Sequence, residues 1–274
     1  MFLTFIRIGV LSIAVFCTAW VKAQGDPSGG ARSAAMGSAS VALQDVWSGF
    51  NNQAGLASLD KLSGGIFLEN RFLLNELTTR GLVLAMPTNS GVFALNLRNF
   101  GYSLYNEGIY GLAYGRKLGE NLSAGLEVDY LTTRIGEGYG SSSAVSFQMG
   151  FQFRVNPNLQ IAGHAANPAR ARLSDFNDER YPSLLRIGVS YRLGEKVLMV
   201  SEVAKDMDRS PMFRAGVEYQ PTEILYVRAG VGGNNFNTSF GFGLAFESFR
   251  IDIASAYSAT LGYSPQFSVS YNVK

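Results

Sequence analysis

From Val145 to Val155 every second residue is apolar. Val145, Phe147, Met149, Phe151, Phe153 and Val155 share one side of an extended chain, and Ser146, Gln148, Gly150, Gln152 and Arg154 share the other. Successive side chains of a strand point to opposite faces, so this segment carries one oily face and one polar face. Soluble strands are usually shorter, about 5–6 residues. An apolar face of roughly 9–11 residues is the length needed to cross a bilayer as a tilted strand. The pattern recurs. Leu185, Ile187, Val189, Tyr191 and Leu193 alternate with Arg186, Gly188, Ser190 and Arg192. Phe240, Phe242, Leu244 and Phe246 alternate with glycine and alanine, and Phe267, Val269, Tyr271 and Val273 with Ser268, Ser270 and Asn272.

Reading this period along the chain predicts an all-β fold, a transmembrane antiparallel barrel of about 14 strands. The segments are 62–71, 75–86, 90–100, 105–117, 121–135, 142–155, 158–166, 183–193, 196–205, 211–220, 224–233, 237–247, 249–258 and 264–273. The first, seventh and ninth alternate weakly, which leaves twelve strands open. The connections carry separate information. Those after even-numbered segments are tight and rich in turn residues, such as Asn156-Pro157, Gly194-Glu195 and Glu247-Ser248. Those after odd-numbered segments are longer on average, the longest being 167–182. Outer-membrane barrels have short periplasmic turns and longer outside loops. An even strand count then puts both termini in the periplasm.

Composition fits this class. Charged residues make up 16% of the chain, against roughly 25% in ordinary soluble domains. Mean hydropathy is +0.07, well below that of a helical membrane bundle. The formal net charge of +2 gives no reason to expect a nucleic-acid partner. Arg7, the apolar run at 8–20 and Val21-Lys22-Ala23 read as a signal peptide, 1–23, destined for export across a membrane. The single cysteine, Cys17, lies within it, so the mature chain offers no thiol chemistry, disulfide or cysteine-bound metal. The division that follows is 1–23 signal peptide, 24–60 an N-terminal plug or hatch segment, and 61–274 the barrel.

The segment before the first strand has a different texture. Ala31–Ala35 and 39–43 are alanine-rich and predict short helices, and Asn51-Asn52-Gln53-Ala54-Gly55 reads as a turn. Three stretches here resemble the N-terminal signature of the PorV/PorQ family, Bacteroidetes outer-membrane proteins related to the FadL channel. They are Gly30-Ala31-Arg32-Ser33-Ala34-Ala35-Met36-Gly37-Ser38-Ala39, Val41-Ala42-Leu43-Gln44-Asp45 and Asn52-Gln53-Ala54-Gly55-Leu56-Ala57. Gln53 stands where that family usually has proline, Gln44 where a small residue is usual, and Val46 where a second aspartate is common. The resemblance implies a fourteen-stranded barrel whose N-terminal segment enters the lumen, and a role in type IX secretion. The outer loops here are shorter than in the secretion members.

The polar faces carry charges of both signs. Glu127, Asp129, Arg154, Arg186 and Arg192 lie on the inward parity, as do Arg214, Glu218, Arg228, Arg250 and Asp252. Mixed signs on neighbouring strands point to ion pairing inside a filled barrel, not to a single-sign selectivity ring. Many glycines share this parity, among them Gly115, Gly125, Gly150, Gly216 and Gly230. They leave room for an inserted segment or ease curvature. Nothing assembles into a catalytic set. Glu127 and Asp129 sit on one face of one strand, so they cannot flank a scissile bond. His164 is the only histidine, and one histidine does not make a zinc site. No enzyme activity, metal or cofactor is expected. The expected partners are outer-membrane lipid, other envelope or secretion proteins and a hydrophobic ligand. Two functions stay open, an accessory or scaffold protein of the envelope and a FadL-like channel for hydrophobic small molecules.

Overall fold

The computed structural model describes residues 29–136, 140–174, 179–233 and 236–273. The expected signal peptide, 1–23, lies outside the described residues. The strands are β1 (Ser63–Asn70), β2 (Thr78–Thr88), β3 (Gly91–Gly101), β4 (Tyr105–Lys117), β5 (Leu122–Ile135), β6 (Gly140–Arg154), β7 (Leu159–Ala166), β8 (Arg172–Ser174) and β9 (Glu179–Arg180). They continue as β10 (Leu184–Leu193), β11 (Val197–Asp206), β12 (Met212–Tyr219), β13 (Leu225–Gly232), β14 (Asn237–Phe246), β15 (Phe249–Ser258) and β16 (Gly262–Asn272). Fourteen of them close an antiparallel barrel in which each pairs with its barrel neighbours in chain order and β16 returns to β1. β8 and β9 form a small ribbon of their own within the longest loop.

The wall follows the period-two pattern. Phe147, Met149, Phe151 and Phe153 are 40–45% exposed, while Gln152 between the last two is 2% exposed. Leaving such side chains in water forgoes about 1.5–3 kcal/mol each, so a continuous belt of them marks hydrocarbon as the surrounding solvent. Cross-strand aromatic pairs stand at both ends of the belt. Phe93–Tyr114 and Phe249–Tyr271 lie near the short turns, with centroids 4.8 and 4.6 Å apart. Tyr257–Tyr263, at 4.9 Å, lies near the loops. From Phe249 to Tyr257 is about 26 Å of strand at ~3.3 Å per residue. At a tilt of about 40° that spans roughly 20 Å, close to the apolar band of an outer-membrane barrel.

The three weakly alternating segments belong to the barrel, which settles the count at fourteen. Their pattern is blurred because small residues occupy outward positions. Gly163 in β7 faces out under the Phe151 ring, where an added Cβ would meet Cε1 at 2.4 Å. Ser201 in β11 and Gly64 in β1 sit on the same outward parity as their apolar neighbours.

Residues 29–59 run inside the barrel. They form α1 (Ala31–Ala35), α2 (Ser48–Asn51) and a 3-10 turn at Gln53–Ser58. The helix expected at 39–43 is absent. Gly37 and Ser38 take φ of +67° and +62°, which ends α1, and the Ser40 and Val41 amides donate to Glu202 of the wall instead of to a helix. Trp47 and Phe50 pack edge-on against Phe67 of β1 at 5.9 and 5.5 Å, in a cluster with Val83, Ala85 and Val92. Met36, Ala39 and Leu43 pack on Val200, and Ala31 and Ala35 on Ala254.

The inward glycines explain how this segment fits. A Cβ on Gly125 would lie 2.3 Å from the Gln53 carbonyl carbon, and one on Gly230 would lie 2.3 Å from the Gly37 nitrogen. Gly115 meets Gln53, Gly150 meets Asn52, Gly216 meets Met36 and Gly232 meets Gly37 in the same way. These positions admit the inserted backbone at van der Waals distance. Gly111 and Gly243 instead clear space for wall charges, Glu127 and Asp252 respectively.

Candidate functional site

The lumen divides into a filled half, on the side of the short turns, and a hollow half under the loops. Three polar anchors hold the inserted segment. In the first, Arg32 of α1 donates from Nε and Nη2 to Glu218 Oε2 and Oε1 of β12 at 2.9 and 2.7 Å. Its Nη1 reaches Asp45 Oδ2 at 2.9 Å. Arg228 and Arg250 approach Glu218 Oε2 at 2.6 and 3.2 Å. Asp252 Oδ1 lies 2.8 Å from Arg228 Nη1 and 3.3 Å from Arg250 Nε. Burial works against the Arg32 charge, but Glu218 and Asp45 outweigh it and hold the guanidinium above its ordinary pKa. The Arg250 guanidinium also stacks on the Tyr226 ring at 4.3 Å.

In the second anchor, Glu202 Oε2 of β11 accepts the Ser40 and Val41 amides, both at 2.9 Å, while its Oε1 accepts Arg214 Nη1 at 3.1 Å. The third is built around the Asn52-Gln53 junction. Asn52 Nδ2 donates to Val41 O at 2.8 Å and its Oδ1 accepts from Ala54 N at 3.2 Å. Gln53 Nε2 donates to Glu127 Oε2 on one side. On the other, Gln53 Oε1 lies 3.2 Å from His164 Nε2, and His164 Nδ1 lies 3.0 Å from Arg186 Nη2. Arginine has no acceptor, so Nδ1 accepts from Arg186 and Nε2–H donates to Gln53. Arg186 Nη2 also donates to the Asn51 carbonyl.

The segment's remaining motif residues are packing and backbone contacts. Gly30, at φ +85°, leaves its Cβ position to the Trp47 ring. Ala31 N donates to Ser268 Oγ at 3.1 Å and Gly37 N to Ser239 Oγ at 2.9 Å. Met36 and Ala54 are fully buried, and Gly55 packs on Ser48.

Two of the expected lumen charges are not in the lumen. Arg154 and Arg192 hold the inward parity but stand at the short-turn ends of β6 and β10, where both are exposed. Arg154 Nη2 caps the Glu120 carbonyl there. Parity fixes direction, not depth. Glu202 escaped the sequence reading because β11 alternates poorly, although Arg214 lies directly opposite it in register.

The hollow half contains a cavity of about 130 Å³. Phe100, Ile109, Leu131, Leu184 and Met212 supply its apolar walls, and Asp129, Ser146 and Gln148 meet it on β5 and β6. Tyr181 and Pro182, from the longest loop, fold over it. The Tyr181 hydroxyl pairs with Thr133 Oγ1 at 2.8 Å, and Asn167 Nδ2 donates to the Tyr181 carbonyl at 2.9 Å. Burial and the nearby Glu107 raise the Tyr181 pKa against that hydroxyl contact.

The fold has solved counterparts. The structure is similar to the Ralstonia pickettii toluene transporter TbuX, with a TM-score of 0.73 at 11% identity over 91% of this chain and 99% of that one. It shares the fold of the FadL-like channels. The monoaromatic hydrocarbon channel CymD gives 0.68 at 12% identity over 89% of this chain and 97% of that one. A Pseudomonas aeruginosa FadL homologue gives 0.58 at 13% over 85% and 96%. No protein-family model matches the sequence, and no curated protein does.

Proposed function

We propose that the protein is an outer-membrane passage for small hydrophobic molecules, with both termini in the periplasm. A ligand enters the hollow half from the loop side, and the N-terminal segment closes the route below. The observation that carries this reading is the cavity of about 130 Å³ on the loop side of an otherwise filled lumen, where Phe100, Ile109, Leu131, Leu184 and Met212 give it an apolar surface among charged side chains such as Arg98 and Glu107. A cavity of roughly 150 Å³ holds one benzene ring, so the space fits a single small ring or short chain. The FadL-like fold, shared with proteins named as toluene and monoaromatic hydrocarbon channels, supports the same ligand class. The test is uptake of radiolabelled toluene by cells whose outer membrane lacks other hydrophobic channels, with and without this protein. Equal initial rates would sink the proposal.

A second reading is an envelope accessory or scaffold of the PorV/PorQ type, linked to type IX secretion. The filled half of the lumen favours it, because a sealed barrel suits a membrane anchor for protein partners. Resemblance of residues 30–57 to that family points the same way. Co-purification from native membranes separates the two. Stable envelope or secretion partners support the scaffold, and lumen-bound lipid or apolar ligand supports the passage.

A further inference from the structure

We infer that the lipid-facing wall from β2 to β6 seats a lipid whose head carries two phosphates, in the leaflet at the loop end of the barrel. The inference goes beyond the passage reading and does not depend on it. It starts from the sign of the charges that face the bilayer. Every carboxylate of the barrel strands takes the inward parity, from Glu69 in β1 to Asp252 in β15. The charged residues of the outward parity are Arg80, Arg116, Arg134 and Lys205, all cations. Against lipid, arginine and lysine cost more than aspartate and glutamate, so a need for polarity alone would have favoured the other sign. Cations on this face match an anionic head.

Position selects two of the four. Arg116 lies at the short-turn end of β4, and Lys205 Nζ donates to the Arg209 carbonyl. Arg80 and Arg134 are exposed and have no hydrogen-bond or ion-pair partner among the described residues. Arg80 stands eight positions from Thr88, the short-turn end of its strand, as Tyr130 does from Leu122 and Tyr257 from Phe249. It is therefore level with the aromatic residues at the loop end of the belt, where headgroups begin. Arg134 lies beyond Tyr130 on the same face of β5, about 10 Å higher at ~3.3 Å per residue and a tilt of about 40°. Register gives it donors: Ser141 of β6 is its direct partner, Ser143 stands opposite Thr132, and both serines are exposed. Between the two arginines the wall is neutral. Arg80 pairs with Asn99, whose side chain is closed on Asn106 by hydrogen bonds of 2.9 and 3.1 Å. Gly108 and Thr132 complete that row. The arginine Cα atoms are thus roughly 16 Å apart, at ~4.8 Å per strand. Two cationic points across a neutral gap fit two phosphates on one head. Each arginine can take its phosphate through two parallel hydrogen bonds, and the Tyr110 and Tyr130 rings below leave a surface for the acyl chains.

The mature protein in detergent micelles is titrated with diphosphoryl lipid A, and bound lipid is read by native mass spectrometry. Monophosphoryl lipid A and phosphatidylglycerol are the comparisons. A cation at a membrane surface adds about fivefold to the affinity for an anionic head. The diphosphoryl form should therefore bind about fivefold tighter than either lipid with one phosphate. Arg80→Gln and Arg134→Gln should each lose roughly that factor and make the two forms of lipid A equal, whereas Arg116→Gln should lose nothing. The ranking of lipids in the unmodified protein decides by itself should a variant fail to fold. Equal binding of diphosphoryl and monophosphoryl lipid A, or an equal loss in Arg116→Gln, overturns the inference, and so does the absence of bound lipid A.

Discussion

Arg32 and Glu218 stand 186 positions apart in the chain and meet inside the barrel in a two-pronged ion pair. Arg32 belongs to the inserted segment and Glu218 to the wall. Their contact therefore fixes one against the other, and it is buried on both sides. Removing one partner of a buried pair leaves the other charge uncompensated.

Arg32→Ala should accordingly loosen the inserted segment. Breaking a buried pair costs about 3–5 kcal/mol, tempered here because Arg228 and Arg250 still hold Glu218. Thermal unfolding in detergent should shift down, and protease should cut within 29–57 earlier. A double-mutant cycle with Glu218→Gln should show clear coupling; additive losses would mean that the pair does not seat the segment.

The wall is tested by two adjacent residues. Met149 faces lipid at 42% exposure, and Gln148 faces the cavity beside Asp129. Met149→Arg places a charge near mid-bilayer at a cost of roughly 2–4 kcal/mol. Gln148→Arg meets a carboxylate and should be far milder. Heat-modifiable migration after refolding compares them, and equal yields would contradict the assigned faces.

The fit between wall and segment is tested at glycine. Gly125→Ala inserts a methyl 2.3 Å from backbone of Gln53, whereas Gly119→Ala meets nothing within 4 Å. Overpacking costs typically about 1–3 kcal/mol. The first variant should raise protease access to the inserted segment while the barrel itself still folds, and the second should behave as the unmodified protein does. Identical protection in both would show that the segment has slack at this point.

The proposed orientation rests on the turn lengths. A tag placed between Gly194 and Lys196 should be hidden on intact cells, and one in the loop that contains Arg172 and Arg180 should be labelled. Surface labelling at the Gly194 turn would invert the assignment.

What the sequence showed of the fold was what a repeating environment imposes. Lipid outside and a polar lumen inside act on each strand alike, so Phe147, Phe151 and Gln152 declared their faces by parity alone. The inserted segment has no such repeat. Its path depends on single hydrogen bonds to the wall, such as Glu202 taking the Ser40 and Val41 amides, and no local pattern encodes them. Composition pointed to helix at 39–43, and a wall carboxylate 161 positions away from Val41 decided otherwise. Gln53, where the chain departs from the PorV/PorQ signature, links Glu127 to His164. That link needs the register of β5 and β7 with β6 between them, which no one segment carries. The cavity was illegible for the same reason: its walls come from strands distant in sequence and from Tyr181, in a loop without periodicity.

Deleting 29–57 asks whether the inserted segment is what closes the barrel. The strand ladder closes without it, since each of the fourteen strands pairs along its backbone with its two barrel neighbours. The faces it would uncover are polar enough to hold water: Glu202, Arg214, Glu218, Arg228 and Asp252 line them, and the charges pair among themselves as well as with the segment. Hydration therefore compensates much of what Arg32 and the Ser40 amide supplied. The apolar losses are the contacts of Trp47 and Phe50 with Phe67, Val83 and Val92, of Met36 and Leu43 with Val200, and of Ala31 and Ala35 with Ala254. The deleted protein should thus still insert as a barrel, and its single-channel conductance in planar bilayers should rise clearly above that of the intact protein. The competing arrangement is a periplasmic tail that only visits the lumen. In that case the intact protein would already conduct, and the two traces would match.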